Sequence, residues 1–158
     1  MAKLKVGDAI PHFTLPDQQG QSFDSRQLAG QIAVIYFYPK DDTPGCTAEA
    51  CSFRDQFEDF TDKGAIVIGI SADTPKKHAA FAEKHQLPFT LLSDISNTVR
   101  KSFGVPKSML GLVPGRVTYI VDGEGIIRHI FNSQFQPAQH VKESLKVIEE
   151  LQSRSTTS

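Results

Sequence analysis

Residues 31–38, Gln-Ile-Ala-Val-Ile-Tyr-Phe-Tyr, constrain the 158-residue chain more than any other stretch. They carry no charge, are rich in β-branched and aromatic side chains, and lie between Gly30 and Pro39. A short run that is apolar at nearly every position fits a strand covered on both faces, not one with an exposed side. It is also far below the ~20 residues that span a bilayer. Residues 65–71, Ala-Ile-Val-Ile-Gly-Ile-Ser, repeat the pattern, and residues 44–62 between the two runs have helical periodicity. Strand, helix and strand in that order predict a βαβ crossover.

The remaining elements follow from local signals. Thr74 and Pro75 suit the cap and first turn of a helix over 75–86. A short strand covers 89–92, and a helix over 96–103 ends at Gly104. Residues 116–121 and 126–131 flank an Asp-Gly-Glu-Gly turn and read as a hairpin. An amphipathic helix over 137–152 closes the chain, with Val141, Leu145, Ile148 and Leu151 on one side. Stretches near Phe13 and Phe23 suit an added N-terminal hairpin. The expected architecture is α/β, in one domain over residues 1–152, with a frayed polar tail over 153–158.

Charge narrows the function. The 17 Lys and Arg nearly balance the 18 Asp and Glu, for a net charge of -1. Without a basic block, nucleic acid and an anionic membrane are excluded as main partners. Residues 1–8 lack the apolar core of a secretion signal, which leads us to expect a reducing cytoplasm.

Two cysteines are too few for a disulfide scaffold. Cys46 follows Thr43-Pro44-Gly45, where Thr43 suits the N-cap and Pro44 the first helical position. Free amides and the positive end of the helix dipole favour thiolate there. On the helical wheel Ala50, Phe53, Phe57 and Phe60 return to within about 40° of Cys46, whereas Cys51 lies about 140° away. The two Cα atoms would then be about 8.6 Å apart, beyond the ~7 Å limit of an undistorted disulfide. On these grounds alone Cys46 is either a small core residue or the centre of the chemistry.

The run Pro39-Lys-Asp-Asp-Thr43-Pro-Gly-Cys46 resembles the active-site signature of the peroxiredoxins. With Cys51 five residues on, it is similar to the Q subgroup, also called bacterioferritin comigratory protein. The similarity extends from Val6-Gly7-Asp8 through Ser71-Ala-Asp73, Leu87-Pro-Phe89 and Phe103-Gly-Val105 to Arg116-Val-Thr-Tyr-Ile-Val-Asp122. It implies a thioredoxin-like fold with an N-terminal hairpin extension and a thiol peroxidase that uses no metal or organic cofactor. It further implies Cys46 as the peroxidatic cysteine, Cys51 as the resolving one, and Arg116 as the guanidinium stabilising the thiolate and the departing oxygen. Thr43 would point at the sulfur and the bound peroxide, a use that competes with capping, while Pro39 would screen Cys46 from water. Hydrogen peroxide or alkyl hydroperoxides would be the substrates and thioredoxin the electron donor, acting on a monomer that is partly unwound when the cysteines pair.

Other readings carry less. A thioredoxin-like disulfide reductase or a redox-regulated binding module is the alternative, but a reductase would carry Cys-x-x-Cys, and the spacing here is Cys-x4-Cys. His129 with Asn132 as partners of Cys46 in a cysteine hydrolase has no local signature in support. His12, His78, His85, His129 and His140 follow no metal-ligand spacing, and His78 and His85 are expected on a solvated or half-buried helix face. The apolar stretch 108–113 suits either an entrance to the site or a cover over the core.

Overall fold

The computed structural model describes residues 4–105, 107–108, 113–132 and 136–156. Residues 109–112 of the apolar stretch singled out above, and the last two of the expected tail, lie outside them. Strands β1 (Thr14–Pro16) and β2 (Ser22–Asp24) form the N-terminal hairpin. The core then runs β3 (Ile32–Phe37), α1 (Pro44–Asp55), α2 (Phe57–Asp62), β4 (Ala65–Ser71), α3 (Pro75–His85), β5 (Thr90–Ser93) and α4 (Thr98–Phe103). After it come β6 (Lys107–Ser108), β7 (Val113–Pro114), β8 (Val117–Val121), β9 (Ile127–Asn132) and α5 (Pro137–Thr156).

Five strands make one mixed sheet in the order β5-β4-β3-β8-β9. Strands β3, β4 and β5 are parallel, as a βαβ crossover requires, and β8 and β9 add antiparallel. Alternation along β3 divides the interior in two. Val34 and Tyr36, with Tyr38 just beyond the strand, face Ala50, Phe53, Phe60, Phe81 and Ile148. Ala33, Ile35 and Phe37 face Phe13, Val99, Phe103 and Tyr119. This α/β arrangement is the thioredoxin-like fold expected above. The hairpin covers the open edge of β5, where the Gln18 side chain donates to Phe89 O at 3.1 Å and accepts from Leu91 N–H at 3.0 Å.

Beyond shifts of one or two residues at element ends, three features differ from expectation. The helix over 44–62 is two helices, broken at Gln56, whose φ of -103° and ψ of 10° leave the helical region. Phe53 and Phe60 on either side of the break both reach the core. The closing helix runs four residues past 152 to Thr156, into the expected tail. The β6–β7 pair had no two-residue periodicity long enough to reveal it.

Gly69 lies where β4 passes under the Tyr36 ring. A Cβ there would sit 2.8 Å from Tyr36 Oη and 3.0 Å from Leu91 Cδ2. Gly69→Ala should therefore destabilise the protein by about 1–3 kcal/mol through overpacking, seen as a lower urea midpoint at an unchanged slope.

Candidate active site

The C-terminal end of β3 and the start of β8 bring the predicted residues together. Cys46 is in the first turn of α1 and only 1 % exposed, pointing into the core as the helical wheel requires. Arg116, immediately before β8 and 3 % exposed, directs Nη2 at Cys46 Sγ across 3.4 Å. Its Nη1 donates to Glu49 Oε1 at 2.6 Å. The helix start can lie this close to the guanidinium because Gly45 has no side chain, and a Cβ there would be 2.9 Å from Arg116 Nη2.

Thr43 occupies the N-cap position, but its side chain makes no capping bond. The hydroxyl donates instead to Lys40 O at 2.8 Å, which ties the two ends of the loop and leaves oxygen lone pairs for another donor. The competition between capping and catalysis is thus decided against the cap. Pro39 is half-buried in the same loop. Cys51 is half-buried, and both cysteines are free thiols.

Glu49 was missed in the sequence. It is one helical turn beyond Cys46 and fully buried, and a carboxylate on the apolar stripe of α1 was the available signal, since buried carboxylates need partners. Burial pushes its pKa up to about 8, against the opposing pull of Arg116. Burial acts to lower the pKa of Arg116, but the charges of Glu49 and Cys46 outweigh it and hold the guanidinium above its ordinary value. Behind Glu49, the fully buried His140 of α5 places Nδ1 3.5 Å from Oε2 and 2.7 Å from Thr118 Oγ1.

Arg100 was missed as well. From α4 it donates Nη1 to Gly115 O at 2.9 Å and Nη2 to Tyr38 O at 2.8 Å. One buried side chain thereby joins the strand ends that carry the cysteine loop and Arg116. Burial lowers its pKa to about 10, with Asp94 and Cys46 opposing, so it stays cationic.

One histidine expectation needs correction. His78 is not on a solvated or half-buried face but completely buried, because its ring bonds to Asp41 and Leu92 O. His129 pairs with Glu143 at 3.3 Å, and Asn132 is exposed, which leaves the hydrolase reading without support. Among the described residues, donor atoms of Asp41, Asp73 and His78 lie within 4.8 Å of one another, a grouping that sequence spacing did not suggest.

A family profile described as AhpC/TSA family matches residues 6–130. The chain is 51% identical over 150 residues to "Peroxiredoxin Q, chloroplastic" of Populus jackii, covering 95% of this chain and 70% of that one. Peroxidoxin BcpB of Mycobacterium tuberculosis superposes with a TM-score of 0.86 at 36% identity, covering 93% of this chain and 97% of that structure. Peroxiredoxin Q of Xanthomonas campestris gives 0.77 at 32% identity, with 85% and 90% covered. The cytoplasmic expectation does not survive these comparisons, since plant relatives at about 50% identity are named chloroplastic. It rested on the lack of a secretion signal and of an apolar run long enough to span a bilayer, and neither property distinguishes a cytoplasm from a plastid.

Two measurements probe this site. Thr43→Val should slow the reaction with peroxide by about 10- to 100-fold, while stability falls by no more than about 1 kcal/mol, the worth of the single exposed bond to Lys40 O. The second concerns Glu49, whose raised pKa means that the folded chain binds more protons than the unfolded one between 4.5 and about 8. That contribution to stability is present below the lower value and is lost as pH rises through the upper one. The urea midpoint of the wild type should fall across this window, and Glu49→Gln should flatten the fall. Equal slopes would show that Glu49 ionises as readily folded as unfolded.

Proposed function

Because the chain belongs to the AhpC/TSA family, in its peroxiredoxin Q branch, and is a thiol peroxidase, we propose that Cys46 is its peroxidatic nucleophile and Cys51 its resolving thiol. The observation that carries this reading is the buried Arg116 guanidinium 3.4 Å from Cys46 Sγ. Displacement at an O–O bond requires a thiolate aligned with that bond and donors for the charge developing on the leaving oxygen. Arg116 can serve both, as a fixed cation beside the sulfur and a forked donor. Thr43 supplies a hydroxyl at the same helix start, and Pro39 limits water in the loop.

The cycle balances without a cofactor. The Cys46 thiolate attacks the peroxide, the O–O bond breaks, and one proton converts the departing oxygen to water or an alcohol, leaving sulfenic acid on Cys46. The Cys51 thiol condenses with it, releasing water and forming the disulfide. An external dithiol then reduces the bridge, and we assign that role to thioredoxin. Since Cys46 and Cys51 project from different sides of α1, bridging requires the first turns of the helix to unwind. Both thiols of the bridge are in one chain, so the reading is of a monomer, with one domain over residues 1–152. Hydrogen peroxide and alkyl hydroperoxides are the substrate class, and the names of the plant relatives point to a plastid.

With thioredoxin, its reductase and NADPH, the wild type should oxidise NADPH in proportion to added peroxide. Cys46→Ser should abolish turnover. Cys51→Ser should consume peroxide once and then slow by about tenfold or more, and amide exchange over residues 45–55 should quicken in the oxidised wild type. Full thioredoxin-dependent turnover by Cys51→Ser would overturn the intramolecular bridge.

A further inference from the structure

The loop between β3 and α1 is held from beneath by side chains that the peroxide chemistry does not use. Tyr38 Oη donates to Asp41 Oδ1 at 2.5 Å. The Asp41 backbone N–H donates to Asp73 Oδ2 at 2.8 Å, and that oxygen also accepts from Ser71 Oγ at 2.7 Å. Asp41 Oδ2 lies 2.6 Å from His78 Nδ1, and His78 Nε2 lies 2.9 Å from Leu92 O. Tyr38, Asp41, Asp73 and His78 are all buried.

Proton counting restricts this chain. Leu92 O can only accept, so Nε2 carries a hydrogen. Nδ1 and Oδ2 at 2.6 Å would repel as two bare acceptors, so one proton is shared between them, whichever atom holds it. The close grouping of Asp41, Asp73 and His78 would also suit a cation, but the separations are those of hydrogen bonds and Asp73 Oδ2 already accepts two. Next to this anchor Asp42 adopts φ +63°, a left-handed conformation uncommon for a residue with a side chain. Such a conformation persists where its surroundings over-determine it, and the bonds of Asp41 do so here.

We propose that His78 is a positioning residue for the peroxide step: through the proton it shares with Asp41 it holds the loop over residues 39–43, and with it the start of α1, in the reactive conformation. This rests on Cys46 being the peroxidatic thiol. Loss of the bond frees the loop from α3, which slows attack on peroxide and eases the unwinding that precedes the disulfide.

The test separates the two steps. The rate of Cys46 oxidation is measured by competition with a haem peroxidase for hydrogen peroxide, and bridging to Cys51 by acid quench and intact mass. His78→Phe keeps a ring but loses both bonds, and should lower the first rate by about tenfold or more while raising the second. Asp41→Asn should stay within about threefold of wild type on the first rate, because Oδ1 can still accept from Tyr38 and Nδ2–H can donate to Nδ1 of a neutral His78. His78→Phe reacting at the wild-type rate, or Asp41→Asn as slow as His78→Phe, overturns the proposal. NMR of the wild type provides a readout that needs no variant to fold: a strongly deshielded proton beside the His78 ring is expected, and its absence also overturns the proposal. A wild type that shows this proton but is not oxidised at Cys46 would instead overturn the assignment of the nucleophile.

Discussion

The structure depends on a buried cation placed between two groups that need it. Arg116 reaches Glu49 at 2.6 Å and Cys46 Sγ at 3.4 Å, inside a core where an isolated guanidinium would be costly. Each group accounts for another. Glu49 makes the burial of Arg116 tolerable, Arg116 turns its second terminal nitrogen toward the sulfur, and Gly45 leaves room for the guanidinium. The main-chain bonds from Arg100 fix the strand ends carrying both partners. The sheet supplies the rigidity, because β3 and β8 are adjacent and paired from Ala33↔Val121 to Phe37↔Val117.

Rigidity beneath the site contrasts with what the proposed Cys46–Cys51 bridge would ask of the helix. In the first half of α1 the buried side chains are Cys46, Glu49 and Ala50, two of them small, so few apolar contacts resist local unwinding. Phe53 is different. It stacks on Tyr36 at 4.6 Å and meets Phe60 and Phe89, and Arg54 donates to His85 O at 2.8 Å. Unwinding can therefore free residues 44–51 while the aromatic cluster holds the rest, which is the span that bridging requires. On the other side, Asp41 fixes the loop and limits how far the disturbance travels toward β3.

Much of this was legible in the chain. The two apolar runs at 31–38 and 65–71 identify parallel strands because burial on both faces removes alternation, and Cys46 is placed on the core side by wheel geometry alone. What escaped depended on distant partners. Glu49 and Arg116 are separated by 67 residues and Asp41 and His78 by 37, and only the fold can show that such polar groups are paired instead of solvated. His78 in particular read as solvated or half-buried because histidine in a helix rich in lysine and alanine ordinarily keeps some contact with water. The break at Gln56 was hidden for a different reason, since Phe53, Phe57 and Phe60 keep helical spacing across it.

The choice made by Thr43 shows how local preference yields to the site. Threonine before Pro-Gly-Cys is well suited to cap a helix, and a capping bond commonly contributes about 1 kcal/mol. The hydroxyl forgoes that bond and donates to Lys40 O, closing the loop in which Asp41 is pinned to α3. A capping side chain would hold its oxygen against the helix amides. The one observed leaves that oxygen able to accept from another donor at the start of α1. The buried bonds of Asp41 add to the Thr43–Lys40 bond, so the loop is held both within itself and from below without a side-chain cap on the helix.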